Sequence, residues 1–450
     1  MSSFGSSSFW RSLEQSPENS RERNIASPII RLVKNMQITT EYRVAALMAL
    51  AAMFTLAGYE LIRSAATVLF KSAYGAENLP LVMAAMPVVV FLGVAGYGLI
   101  LSRLGPRRTL LVTSIGSSLV MVVCYLMLVN GSREITAVLF LFKEFYIVLL
   151  IEQYWSYINS SVTPKTARRI NGPITGIAGI GGAVGGFMVG MSAESLGTET
   201  LVVLAAIALI PAALVSQFAY LKFGEPEQPE DSGARGSLGL SLFRENPILV
   251  SLISIVLATQ VIAAVLDFKF QTMLSVEFAG QPDKETAFQG WFWTTLNTSI
   301  LVLQFVVAPI LLPILALRWV HIVLPIIHLC AIGVAIYEPT VFTVGLAFFL
   351  FKAFDYSIFR AAKEVLYVPL GFDERYRAKE VIDVFGYRTG KGVSSVLIVL
   401  AQKAGVLMNN YYLAIGFAVA LVWLALVFPL TREDTLPEDE TRPSDGEQDS

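Results

Sequence analysis

Arg360, Lys363 and Glu364 stand in the stretch Tyr356-Ser-Ile-Phe-Arg360-Ala-Ala-Lys363-Glu364-Val-Leu-Tyr367-Val-Pro369-Leu370, just after the apolar run Thr343 to Leu350. That run reads as a membrane-spanning helix, and an ion near the bilayer centre costs about 2.5 kcal/mol or more. These side chains must therefore face other helices or a wet cavity. Guanidinium and ammonium groups held in a cavity bind anions, Arg through a planar fork and Lys as a mobile point charge. Other apolar runs carry charge too: Glu60 with Arg63, Lys143 with Glu144 and Glu152, Asp267 with Lys269, Lys352 with Asp355, and Asp383 with Arg388 and Lys391. Glu60 and Arg63 are one helical turn apart and can pair. Some of these groups are ion pairs that hold helices together, and those near helix ends can snorkel. The set around the tenth and eleventh runs is denser than packing requires. The expected anion-binding residues are Arg63, Lys269, Arg360, Lys363, Arg388 and Lys391. Glu60, Glu144, Glu152, Asp267, Asp355, Glu364 and Asp383 are expected as ion-pair or proton-coupling partners.

The elements that position these residues follow from composition. Of 450 residues, 55% are hydrophobic and 15% charged, and the mean hydropathy is +0.62. Such values belong to polytopic membrane proteins. The net charge of -2 says little about partners. Cys124 and Cys330 lie in separate apolar runs and fit no zinc or disulfide spacing, and His321 and His328 have no carboxylate or Cys beside them. No metal, cofactor or nucleic acid is expected. No nucleophile–base pair is evident, so an enzyme is not expected. The Gly172 to Gly186 run lacks a phosphate-loop spacing, and its small residues instead permit close helix packing. Gly386-Tyr-Arg-Thr-Gly390-Lys391-Gly392 is one residue short of a Walker loop and ends in Gly where Ser or Thr would bind magnesium.

Apolar runs of spanning length, about 20 residues, recur near Val44–Phe70, Leu79–Leu101, Thr109–Val129, Ile135–Ile158, Ile174–Ala193, Leu201–Leu221, Pro247–Leu274, Phe288–Leu315, Val320–Tyr337, Val341–Val368, Val381–Lys403 and Tyr411–Leu430. Arg103, Arg107, Arg108, Lys165, Arg168, Arg169, Lys222, Arg318, Arg375, Arg377 and Lys379 fall in alternate loops, and mostly Glu and Asp in the others. Positive charge stays inside during insertion. The expectation is an all-α, multi-pass protein of the cell (inner) membrane, with both termini cytoplasmic. Residues 1–42 form a polar segment with a short basic helix at Pro28 to Met36. A first six-helix bundle covers 43–222, a Gly/Pro-rich cytoplasmic linker 223–246, a second bundle 247–430, and an acidic disordered tail 431–450.

The halves resemble each other. Leu141-Phe142-Lys143 opens the fourth span and Leu350-Phe351-Lys352 the tenth. Each is followed by a basic loop and then a Gly-containing helix. Such parallel repeats mark rocker-type carriers with a site between the halves. A second match, Tyr59-x-x-x-Arg63 with Tyr356-x-x-x-Arg360, joins non-equivalent spans and suggests convergent cavity chemistry. Ser102-Arg103-Leu104-Gly105-Pro106-Arg107-Arg108 resembles the gate-loop signature of the major facilitator superfamily, with Gly105 in a tight turn and Arg103, Arg107 and Arg108 at a cytoplasmic gate. The alternative is a set of generic positive-inside arginines.

Tyr356-Ser-Ile-Phe-x-x-x-Lys363-x-x-x-Tyr367-Val-Pro369-Leu370, continuing through Lys379, Gly386, Arg388, Gly390 and Lys391, resembles the ATP/ADP translocases, a distant branch of that superfamily. Trp155, Asn159, Arg168 and Arg169 resemble its first half, as do Tyr59, Arg63 and Gly75-Ala-Glu77. Gln289-Gly290-Trp291 resembles its eighth span. The resemblance implies a carrier that exchanges nucleotides, with phosphates held by Lys363, Arg388 and Lys391, and with Asp267 and Lys269 near an acidic residue and a lysine of its seventh helix. One departure is plain: the family's first-span Lys-Asp pair is Ala66-Thr67 here. Three functions are open on the sequence. They are exchange of a phosphorylated anion, proton-coupled transport of an unrelated solute, and a non-transporting assembly factor on a transporter fold.

Overall fold

A computed structural model describes residues 20–225, 243, 247–367, 382 and 386–430; within these, side chains are described for 40–163, 166–167, 169–225, 243, 248–367, 382, 386 and 390–428. Asp383, the loop 368–381, most of the central linker and the tail 431–450 lie outside the described residues, as does the Arg388 side chain.

The described chain is helical. In order the elements are α1 Ser20–Tyr74, α2 Leu79–Ala84, α3 Met86–Val129, α4 Ile135–Ser161, α5 Pro164–Leu196, α6 Thr200–Phe223 and α7 Pro247–Glu277. They continue as α8 Pro282–Ile314, α9 Leu317–Tyr337, α10 Val341–Leu366, α11 Tyr387–Lys403 and α12 Tyr412–Leu430. These coincide with the apolar runs of the sequence and give a multi-pass membrane protein. Two helices contain one-turn π segments, α8 at Leu303–Val307 and α10 at Asp355–Phe359. The basic segment Pro28 to Met36 was expected as a separate short helix. It is instead the N-terminal part of α1, which runs unbroken into the first span; no Gly or Pro stands between Met36 and Val44 to stop it.

Local chemistry sets the boundaries. Thr163 caps α5, accepting from the Thr166 amide at 3.4 Å, with Pro164 in the first turn. Thr340 and Thr343 form a reciprocal capping box at the start of α10. Gly105 has φ 73° and ψ 169° inside α3. Only Gly enters that region without strain, and the turn divides α3 into the end of the second span and the third. Pro106 follows, where its missing N–H is harmless.

Each half has its own core. Val44, Met48, Leu61, Leu110, Tyr146, Leu150, Val202 and Leu209 belong to one, and Leu249, Val256, Leu266, Phe348, Phe351, Phe359 and Trp423 to the other. A third cluster crosses between them: Phe70, Leu79, Met83 and Phe140 meet Val265, Phe268, Ile398, Met408 and Tyr412. The halves also meet where α5 packs on α8 and where α2 packs on α11. The α5 glycines allow this approach. A Cβ at Gly186 would crowd the α8 backbone at Thr294, and one at Gly290 of α8 the backbone of Gly190; within the first half, one at Gly185 would enter the backbone of Ala57 in α1. We expect Gly185→Val to destabilise the protein by about 1–3 kcal/mol, read as a lower unfolding temperature in detergent. Gly116→Ala, which meets open space, should not lower it.

Candidate substrate cavity

A cavity of about 1230 Å³ lies between the halves. Among the described residues six cations line it: Arg63 of α1, Lys143 of α4, Lys352, Arg360 and Lys363 of α10, and Lys391 of α11. Four carboxylates accompany them, Glu60, Glu144, Asp267 and Glu364. Several of these groups are paired inside the shared space. Arg63 pairs with Glu60, Lys143 with Glu144 at 2.6 Å and Lys391 with Asp267 at 3.5 Å. The pairs keep the empty cavity from stranding a cation in the membrane interior.

Aromatic faces add further contacts. The Arg63 guanidinium lies 3.5 Å from the Trp293 ring centroid and 5.3 Å from that of Tyr59. Tyr356 has Lys352 at 5.0 Å and Arg360 at 5.7 Å from its centroid. Thus both Tyr-x-x-x-Arg pairs noted in the sequence place an arginine beside a tyrosine in the same cavity. Lys352, Tyr356 and Arg360 follow one another along α10 through its π segment, a distortion frequent at functional sites. Lys363 is 1% exposed, with the Tyr367 ring 5.8 Å from its ammonium. At the position of the missing Lys-Asp pair, Ala66 is buried, and Thr67, on the cavity wall, donates its hydroxyl to the Arg63 carbonyl at 2.7 Å.

Of the expected anion-binding residues, Arg63, Arg360, Lys363 and Lys391 are brought together. Lys269 is not: its ammonium donates to the Asn409 side chain at 3.1 Å and carbonyl at 3.3 Å, before α12. The reason is helical geometry. Residues two apart on a helix point to opposite sides, so when Asp267 faces the cavity, Lys269 cannot. Glu152 is exposed and stands off the cavity wall. Asp355, the first residue of the π segment, is 3% exposed, and its Oδ1 has no hydrogen-bond partner among the described residues. Asp383 lies outside those residues. The Arg103–Arg108 loop is remote from the cavity, and Arg107 meets no carboxylate in the contacts it makes with α6. Its Nε donates to Gln217 Oε1 at 3.3 Å, and Gln217 returns a bond to the Arg107 carbonyl at 3.0 Å.

Lys143 and Lys352 were not among the expected anion-binding residues. Their signal was present in the Leu-Phe-Lys repeat, which places one lysine from each half on the cavity wall.

At one end of the cavity, polar contacts join the halves. Lys71 of α1 pairs with Glu285 of α8, and donates to Gln271 Oε1 of α7 at 2.7 Å and to its carbonyl at 3.3 Å. Gln289 donates to the same Gln271 and Glu285 oxygens at 3.2 and 3.3 Å. Nearby, the Thr198 amide and hydroxyl donate to Asp283 Oδ1 at 2.7 and 2.6 Å. The apolar cluster around Phe70, Phe140, Phe268 and Met408 packs at this end too.

Comparison with known proteins finds similarity over part of the chain. Residues 284–433 match the TLC ATP/ADP transporter family. The match covers Lys352, Arg360, Lys363 and Lys391, and leaves Arg63 and Lys143 outside it. ADP,ATP carrier protein 1 of Chlamydia trachomatis serovar D is 24% identical over 217 residues, 43% of this chain and 40% of that protein. ADP,ATP carrier protein 1 of Rickettsia conorii is 32% identical over 89 residues, 19% of this chain and 18% of that protein. The aligned chain thus spans less than half the length of these relatives. Among solved structures, a bacterial homologue of the iron transporter ferroportin superposes with a TM-score of 0.64, 13% identity, and 87% and 99% of the two chains covered. A variant of the nucleoside transporter NupG gives 0.60, 12%, and 86% and 98%. A D-xylose-proton symporter gives 0.60, 14%, and 88% and 98%. The matched segment is thus part of a fold shared with these transporters.

Proposed function

We propose that this chain is a secondary transporter that exchanges phosphorylated anions across the membrane, with nucleotides the leading substrate class. The observation that carries this reading is the convergence of six cations from four helices, drawn from both halves, on one cavity. Charge-assisted bonds from Arg and Lys are the strongest non-covalent contacts available to phosphate oxygens. The aromatic faces of Tyr59, Trp155, Trp293 and Tyr356 on the same wall suit a nucleobase, because stacking needs only a π-face. The curated relatives are named as ADP,ATP carriers, in line with this reading.

Alternating access supplies the mechanism. The Lys71–Glu285–Gln271 network and the apolar cluster beside it close the outer end. Passage then needs this seal to open while the opposite end closes, as the halves rock about the tight α5–α8 contact. By the distribution of basic loops the sealed end is external, and both termini lie in the cytoplasm of a cell with this inner-membrane protein.

Labelled ATP, ADP and inorganic phosphate taken up by proteoliposomes test the reading. We expect uptake of a phosphorylated compound, accelerated by the same unlabelled compound inside. Uptake of none of them, by protein shown to be folded, would overturn it.

A further inference from the structure

Glu60 sits midway along the first span, 4% exposed, and its contacts make it more than a counter-ion. One carboxylate oxygen accepts from Asn297 Nδ2 of α8 at 3.0 Å. The other is held by Arg63 and has no other hydrogen-bond partner among the described residues. The same guanidinium lies on Trp293 of α8. A cross-half latch therefore runs through Arg63, a cavity-lining cation of the first span.

The charged neighbours of Glu60 are few. On α1 they are Tyr59 and Arg63. From α4, Lys143 and Tyr146 face it, and Lys143 is already engaged by Glu144 at 2.6 Å. From α5 the nearest position is Gly182, and α6 presents Ala205 and Ala208 beside Gly58. From α8 come Asn297 and Trp293. Arg63 is thus the cation paired with Glu60 in this enclosed place.

Resting on the reading of the cavity as an anion site, we propose that Glu60 makes the carrier a proton–anion cotransporter. An incoming phosphoryl oxygen accepts hydrogen bonds from the Arg63 guanidinium and displaces the Glu60 carboxylate. That carboxylate is then left beside a second anion with no cation of its own, an arrangement in which like charges disfavour ionisation. It takes one proton from cavity water, forming the neutral acid while Asn297 still donates to its other oxygen. When the anion leaves on the far side, Arg63 returns, the proton passes to water there, and the ion pair re-forms. One proton accompanies each anion. Exchange is a partial cycle in which the proton travels out and back.

Two measurements test this. Infrared difference spectra of the purified wild type on adding inorganic pyrophosphate should show a new protonated-carboxyl C=O band, absent in Glu60→Gln. In proteoliposomes, an acid exterior should drive net uptake of labelled ADP together with acidification of the lumen. In Glu60→Gln the ratio of gradient-driven uptake to ADP exchange should fall at least about tenfold, since the group that responds to the gradient is gone. Pyrophosphate binding to the wild type without a new band, or uptake indifferent to the gradient in a liposome that exchanges ADP, overturns the proposal and leaves the anion-carrier reading standing. Binding of neither anion overturns both.

Discussion

Replacing Lys352 and Arg360 together by alanine is expected to cut kcat/KM for anion uptake by about 10²- to 10⁴-fold, since each charge-assisted hydrogen bond lost costs about 1.5–3 kcal/mol. Both side chains border the cavity and flank the Tyr356 ring. Their loss removes binding contacts, and because both cations also lie near the buried Asp355 carboxylate, the unfolding temperature of the variant is measured beside its uptake. Arg360→Lys should recover part of the loss and not all of it, because an ammonium keeps the charge and loses the planar fork. Lys363→Ala should reduce uptake with normal expression. Initial rates at sub-saturating substrate measure all of these. An unchanged rate in the double variant would mean that this edge of α10 does not touch the cargo.

Lys71→Ala should have the second large effect, on the seal. It leaves Glu285, 4% exposed, without its cation, and breaking a buried pair from one side costs about 3–5 kcal/mol. The closed outer end is then the less favourable state. A cysteine at Gln289, in a background with Cys330→Ser, should react much faster with an impermeant thiol reagent from outside in Lys71→Ala than in its parent. Replacing both partners, Lys71→Met with Glu285→Met, should restore slow labelling, since a well-packed apolar pair substitutes for a buried ion pair at little cost. Slow labelling in all three would show that the network does not hold the outer end closed.

The parts of this molecule that the sequence disclosed are those where the bilayer punishes exceptions. Charge in an apolar run is costly, so Arg63, Arg360, Lys363 and Lys391 announced a common interior, and the structure gathers them. Span boundaries were equally plain, because capping residues and Gly/Pro pairs such as Gly105-Pro106 stop helices locally. What was hidden depends on rotation and on long-range contact. Lys269 and Asp267 are neighbours in sequence, and only the helix phase decides which of them meets the cavity. Lys71, near the end of its span, carries no mark that distinguishes a snorkelling lysine from one paired with Glu285, a residue 214 positions away. The π segment at Asp355–Phe359 is invisible to a 3.6-residue periodicity. It turns Asp355 into the protein while Tyr356 and Arg360 face the cavity. Lys143 and Lys352 were legible in the internal repeat, and escaped because each has an acidic residue close by in sequence, Glu144 and Asp355, that marks it as an ion-pair partner.

The most direct measurement is ligand-induced stabilisation of the purified protein by nucleoside triphosphates, diphosphates, inorganic pyrophosphate and the corresponding neutral nucleosides, since a ligand bound only by the folded state raises the unfolding temperature. If cations from both halves converge to hold a negatively charged cargo, the phosphorylated compounds will raise the unfolding temperature, salt will weaken the effect, and the nucleosides alone will not produce it. Equal stabilisation by nucleoside and nucleotide, or none by any phosphorylated compound, would contradict the account.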